Sequence, residues 1–337
     1  MHKRAWLIAG VLIVLHLAAA FAGFFAPYDP AQQDRMHAYA PPTALHFFDA
    51  AGFHERPFVH ETKLADVGTY TEDPASRLEV ELFCRGADYR VLGVRANLHL
   101  FCTRAGGRIL LLGADAFGRD QFSRLLWGAQ VSLAAGLLAT LLSLLVGLVI
   151  GTVSGYYGGK VDEFLMGSSE LLLTLQWLYL LLALRAFLPL HLAPLQAFLL
   201  VVCVVATLGW ARPARLARGV VLTAKTYNYV TAARGFGAGE FYLVRRHVLP
   251  SVGAVLLTQA ALLVPQYVAA EVSLSFFGLG VSEPTASWGN MLAALQQYNV
   301  LTSYWWMLAP AGALLVTSAG YCLMADALQT RLQSRST

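Results

Sequence analysis

Residues 229–250 read YVTAARGFGAGEFYLVRRHVLP. The stretch is basic, has glycine at 235, 237 and 239, and lies between two long apolar runs. It decides the fold, because its flanks are too apolar for water and its own residues too polar for hydrocarbon. Arg212–Pro213 closes the run before it, since proline does not continue a helix. Pro250 opens the run after it, where a missing N–H costs nothing. Two short helical patterns are predicted in between. The first sets Tyr227, Val230, Ala233 and Arg234 at helical spacing and ends in the Gly235/Gly237 cluster, as a C-cap does. The second carries Phe241, Val244 and Val248, with Arg245 and Arg246 alongside. Ala232 and Ala233 leave a smooth patch that another protein can approach closely.

The rest of the chain explains the flanks. Of 337 residues, 57% are hydrophobic and 13% charged, against about 25% charged in soluble domains. That apolar excess needs lipid. Six runs are long enough to span a bilayer, which takes roughly 20 residues each. They lie near 5–25, 128–154, 162–188, 194–211, 251–272 and 305–326. Backbone groups in hydrocarbon must be satisfied within the segment, so these runs are helices. The predicted fold class is an all-α polytopic membrane protein with six transmembrane helices.

Orientation follows from lysine and arginine in the short loops. The loop at 212–250 holds Arg212, Arg215, Arg218, Lys225, Arg234, Arg245 and Arg246 against the single acid Glu240. Placed in the cytoplasm, it brings Lys3 and Arg4, Lys160, and Arg331 and Arg335 inside as well. Both termini are then cytoplasmic and the segment between the first two spans lies outside. The predicted organisation is an anchor helix at 1–25, an extracytoplasmic insertion at 26–110, a transmembrane domain at 111–330 and a cytoplasmic tail at 331–337. A signal peptide is the rival reading of the first run, given its basic start and the small residues of AAAFAGFFA. The apolar stretch from Ala5 to Ala26 is longer than the usual 7–15-residue signal core, which favours a retained anchor.

The insertion is polar and has no spanning run. LEVELFCRG, YRVLGV, LHLFCT and RILLLG are short apolar or alternating pieces bounded by glycine, and they predict a small β-rich unit; a partly ordered loop is the alternative. Cys84 and Cys102 each end such a piece. Outside the cytoplasm they are free to form a disulfide, and a pair of buried thiols is the alternative. Cys203 and Cys322 sit mid-span and read as small apolar fillers.

Two further stretches stand out. In GADAFGRDQFSRLLWGAQVSL (113–133), Asp120 can cap a helix with Phe122, Leu125 and Leu126 on one face and Trp127 at interface depth. The expectation is a short helix on the outer membrane surface; the alternative is that Arg119 and Arg124 are mere interfacial anchors. In SLSFFGLGVSEPTASWGNMLAALQQY (273–298), Gly278 and Gly280 punctuate an apolar stretch and Ser287 can cap a helix carrying Met291, Leu292 and Leu295. Glycine-broken backbone at membrane depth is tolerated only where protein or a water-filled cavity covers it. That makes Gly278, Gly280, Trp288 and Asn290 candidates for a gate or pathway element.

TAARGFG, then nine residues, then HVLP resembles the EAA loop of permease subunits of binding-protein-dependent ABC importers. Together with LLGADAFGRDQFSRLLWGAQVSL, SLSFFGLGVSEPTASWGNML and MADALQTRL, it makes the chain similar to the C-type permeases of the dipeptide/oligopeptide/nickel group over roughly 110–330. The resemblance implies a type I importer permease whose coupling loop, with Ala232, Ala233, Gly237, Leu249 and Pro250 matching the motif, docks in a groove of a separate ATPase subunit. Thr231 stands where the family has glutamate, so the role of that carboxylate does not carry over. The insertion at 26–110 is longer than the group leads one to expect. The implied partners are a second homologous permease, two ABC ATPases and a periplasmic binding protein in a bacterial inner membrane. The implied solute is a short peptide, with nickel or another small solute as the alternative.

No catalytic, cofactor-binding or metal-binding residues are expected in this chain. SGYYGGKV (154–161) is the nearest approach to a P-loop and has no Ser or Thr after Lys160. ATP and Mg are therefore expected on partner subunits. There is no CxxC or HExxH to hold a metal, and no nucleophile elbow. An ion-coupled secondary transporter is the alternative from another class. It would want ionisable groups at a midplane site and repeat symmetry. His16, Glu170, Arg185, Glu271 and Asp326 are the intramembrane candidates; most lie near span ends, and no inverted repeat is evident. Glu271 and Asp326 also have counterparts in the permease group, which weakens a private proton relay.

Overall fold

The computed structural model describes residues 2–49, 52–66, 69–91, 93–103, 107–175, 177–187 and 192–333. The chain divides into two compact units, one of Met1–Leu12, Ala134–Leu274 and Val316–Thr337, the other of Ile13–Leu133 and Ser275–Leu315.

The helices, in chain order, are α1 (His2–Ala20), α2 (Ala22–Phe25), α3 (Gln121–Tyr157), α4 (Gly159–Thr174), α5 (Trp177–Ala186), α6 (Pro194–Gly209), α7 (Ala211–Ala224), α8 (Asn228–Gly235), α9 (Glu240–Leu243), α10 (Leu249–Phe276), α11 (Trp288–Ala293), α12 (Tyr298–Ser303) and α13 (Ala309–Gln333). Among the described residues, three helical segments are long and apolar enough to cross a bilayer: Gln121–Tyr157, Val255–Phe276 and Trp305–Thr330. The pair α6 and α7, bent by 42°, makes a fourth if it is one span. The other two predicted runs are α1, whose apolar part Trp6–Ala20 is short, and the interrupted pair α4 and α5. Between the third and fourth predicted runs, residues 188–191 lie outside the described residues.

In the first unit α3 packs on α7 through glycines one turn apart. A Cβ on Gly147 would press on Pro213, one on Gly151 on the Ala214 carbonyl, and one on Gly155 on Val221. Small residues of this kind let membrane helices approach backbone to backbone. Ala217, Val221 and Ala224 close the contact with Tyr156, Val248, Val252 and Leu256 as a buried cluster. Arg218 holds Asp162 in a fork of 2.5 and 2.6 Å, and Ser154 donates to the same carboxylate.

Arg212–Pro213 does not end the fourth run as predicted. The break falls at Gly209–Trp210, and Pro213 sits in the first turn of α7, where a missing N–H leaves no bond unmade. The second short helix of the 229–250 stretch is also not separate. α9 passes through a wider turn at Val244–Val248 directly into α10, with Pro250 as its second residue.

The second unit contains a four-stranded antiparallel sheet, β1 (His46–Asp49), β2 (Gly52–Asp66), β3 (Thr69–Val91) and β4 (Val94–Thr103), paired in chain order. LEVELFCRG and LHLFCT lie in β3 and β4. RILLLG is not a strand. Ile109 and Leu110 are buried in irregular chain, Ile109 against Val59 and Val80. β2 is not among the predicted pieces; its polar residues and Pro57 carry little strand preference of their own, and long hairpin pairing with β3 supplies it. The predicted surface helix at 120–127 is instead the first part of the unbroken, 37-residue α3.

Candidate functional site

The first candidate element is the loop at 225–250. Tyr227 is extended, and α8 follows with Val230 wholly buried beneath it. Its C-terminus is a Schellman motif: Gly237 N–H donates to Arg234 O (3.0 Å) and Ala238 N–H to Ala233 O (3.1 Å). The motif needs a left-handed residue, and Gly237 supplies it at φ +84°. Arg234 donates to the Tyr156 hydroxyl (3.1 Å) and to Glu240 (3.4 Å), holding the turn. Thr231 is exposed and its hydroxyl only bonds back to Tyr227 O. Leu249 and Pro250 begin α10. What projects is aromatic: Phe236 is 92% exposed and Phe241 78%. Phe236 follows the last residue of α8, and Phe241 lies in α9. Arginine counting in the loop does not reveal them.

The second element joins the start of α3 to the 273–298 loop within the second unit. Arg119 and Arg124 are buried, which rules out the alternative reading of them as interfacial anchors. Arg119 bonds Asp115 at 2.6 Å and Glu283 at 2.5 and 3.2 Å, and Arg124 bonds Glu283 at 2.9 Å. Two guanidiniums out of water need such partners. Asp120 caps α3 by accepting from Ser123 N–H at 2.8 Å. Burial pushes the Asp120 carboxyl up to about 6 despite those hydrogen bonds.

The four gate candidates are found holding this loop together. Trp288 is buried, donates its backbone N–H to the Ser132 hydroxyl and its indole N–H to Leu125 O. Ser287 and Asn290 form a reciprocal capping box on α11, while the Asn290 amide also donates to Val281 O and Thr285 O. Gly278 is left-handed at φ +73°, and Gly280 has no room for a Cβ against Ser275.

Elsewhere, the structure joins Cys84 to Cys102 as a disulfide, with Cα atoms 6.2 Å apart. Cys203 and Cys322 are exposed on their helices rather than packed as fillers. Glu271 is buried in α10, Glu170 and Asp326 are exposed, and His16 is half-buried. The Arg185 side chain lies outside the described residues. Among the described residues no group of three or more His, Cys, Asp or Glu side chains is placed to hold a metal.

Residues 147–337, which include the whole 225–250 loop, match the family described as the binding-protein-dependent transport system inner membrane component. The chain belongs to that family. It is a transport permease and a membrane protein. Residues 1–42 of this permease match a second family, the N-terminal TM domain of oligopeptide transport permease C. The permease is 35% identical to the dipeptide transport system permease protein DppC of Bacillus subtilis (strain 168) over 66% of its own length and 68% of the relative's. It is 34% identical to the probable D,D-dipeptide transport system permease protein DdpC of Escherichia coli (strain K12), over 66% and 73%. With the oligopeptide transport system permease protein OppC of Escherichia coli (strain K12) it shares 37% identity over 66% and 72%. A crystal structure of an amino acid ABC transporter with histidines superposes at a TM-score of 0.46 and 17% identity, over 62% of this chain and 94% of that one, too distant a likeness to carry weight.

Proposed function

We propose that this permease is one membrane-spanning subunit of an ATP-driven importer of short peptides. The observation that carries the reading is the α8 plug: a Schellman-capped helix followed by exposed Phe236 and, in α9, exposed Phe241, anchored by α7 on one side and α10 on the other. Such an element transmits motion only if something grips it. The gripping partner is an ABC ATPase, two of which would bind ATP and Mg and close against this subunit and a second homologous permease. The chain crosses the inner membrane six times with both termini in the cytoplasm. A periplasmic binding protein delivers the solute to the outer side, where the 26–110 insertion and the 273–298 loop lie. Peptide is the solute because relatives 35% and 37% identical over 66% of this chain are named for dipeptide and oligopeptide transport.

The test is purification of the tagged chain in mild detergent. An ATP-binding-cassette ATPase and a second permease should co-purify, and ATP hydrolysis by the reconstituted complex should rise when peptide-loaded binding protein is added. A chain that purifies alone and moves solute on an ion gradient would replace this reading with a secondary transporter.

A further inference from the structure

Two helices of the first unit break, and a third carries an internal proline, beside one cavity of about 300 Å³. α4 ends at Thr174, where Leu175 turns extended. α6 ends at Gly209 and bends by 42° into α7. α10 carries Pro265 in its interior, and proline there strips the carbonyl four residues earlier of its helical partner. Leu172, Thr174, Gly209, Arg212, Gln266 and Tyr267 line the space.

The breaks share a depth. α4 and α6 are each 16 residues long to their break, and Pro265 is a similar distance into α10, which at 1.5 Å per residue is about 24 Å. With the orientation proposed above, α4 and α10 rise from the cytoplasmic face and α6 descends from the outer one. The two breaks and Pro265 then fall about halfway through a bilayer some 40–45 Å thick with its headgroups. Broken backbone at that depth is tolerated where it lines a water-filled cavity.

The chemistry of the lining is specific. The Tyr267 hydroxyl donates to Gly209 O at 3.1 Å, occupying the carbonyl at the bend, and leaves no room for a Cβ on Gly209. Thr174 is likewise satisfied, by Glu170 O. Arg212 is exposed and, among the described residues, forms no ion pair. An arginine near the middle of a bilayer costs about 2.5–3.5 kcal/mol on insertion scales, so one kept there without a carboxylate partner is there for an anion. Its planar fork matches a carboxylate, and the Gln266 amide adds a donor beside it.

We propose that this cavity is a carboxylate-binding subsite of the transport path, with Arg212 as its cation and Gln266 as its second donor. The proposal rests on the peptide-import reading and deepens it: a free peptide presents one terminal carboxylate whatever its side chains, so a fixed arginine grips every peptide while the rest of the cavity stays unselective.

The experiment uses the assembled complex with Cys203 and Cys322 replaced by serine and Leu208→Cys placed in the cavity wall. An anionic sulfonate methanethiosulfonate should label this thiol severalfold faster than the cationic trimethylammonium reagent, and Arg212→Gln should abolish the preference. No labelling by either reagent, or a preference that survives Arg212→Gln, overturns the subsite. In uptake assays at saturating binding protein, Arg212→Gln should lower the maximal rate for a dipeptide severalfold and leave that for its C-terminal amide. Equal loss for both overturns it too. If the wild-type complex carries neither peptide yet shows the labelling preference, the peptide reading falls and the carboxylate subsite stands.

Discussion

Arg119 and Glu283 lie 164 residues apart in the chain and bond to each other twice, at 2.5 and 3.2 Å. Glu283 reaches Arg124 with the same carboxylate, so one acid from the 273–298 loop serves two buried guanidiniums at the start of α3.

Removing that acid should be costly. Glu283→Ala leaves Arg119 and Arg124 buried with Asp115 as their remaining carboxylate. Breaking a fully buried pair costs about 3–5 kcal/mol; the Glu283 side chain is 46% exposed, so a loss on the order of 2 kcal/mol is expected. Thermal melting of the detergent-solubilised chain reads it. Glu283→Gln, which keeps the shape and loses the charge, should fall between wild type and alanine. Unchanged melting in both would make the cluster incidental.

The α8 plug gives a prediction about function rather than stability. Gly237 is left-handed and its surroundings are open, with nothing within 4 Å of a built Cβ. Gly237→Val therefore strains the Schellman turn through the backbone alone and redirects Phe236. Peptide uptake should fall at least tenfold while the amount of chain in the membrane stays the same. The Ala233→Trp variant reaches the same end by blocking close approach. Normal uptake in both variants would remove the coupling role from α8.

Helix packing supplies a prediction with its own control. A side chain at Gly151 would meet the Ala214 carbonyl at 2.3 Å, and that atom is backbone. Gly151→Leu should force α3 off α7 and sharply lower the yield of folded protein in a size-exclusion profile. Gly167→Ala, in α4 with nothing within 4 Å, should leave the yield alone and add a little helix propensity.

The parts of this fold that show in the sequence are those set by local physics. Three of the six apolar runs, the glycine cap of α8 and the Ser287 cap of α11 each depend on a few neighbouring residues, and each is where the sequence places it. What does not show depends on partners far along the chain. Arg119 and Arg124 look like surface anchors until Glu283 is folded against them. Gly147, Gly151 and Gly155 are ordinary small residues until α7 lies on them. β2 shows little strand preference until β3 pairs with it, and RILLLG looks like a strand although no neighbouring strand takes it. Pro213 illustrates a subtler failure. Proline marks a helix boundary, but only the Gly209–Trp210 break shows which side of the boundary it occupies. Arg212 moves with it, from a cytoplasmic topology signal to the wall of a cavity.

Asp120 gives the pH dependence. Its carboxyl is raised from the ordinary aspartate range to about 6 because burial outweighs its capping bonds. As pH climbs past about 4 the unfolded chain gives up this proton first, so between about pH 4 and 6 the native state binds more protons than the unfolded one and stability falls. The contribution is present in acid, is lost as pH rises through that window, and is flat above it. At about 1.4 kcal/mol per unit, the change is on the order of 3 kcal/mol. Asp120→Asn cannot titrate but keeps an oxygen to cap Ser123 N–H. Melting temperatures of the two proteins, taken in detergent from pH 4 to 7.5, should show wild type losing ground to the variant up to about pH 6 and holding a constant offset beyond. A difference that does not vary with pH across that range would mean the carboxylate is already ionised in acid and that its hydrogen bonds win over burial.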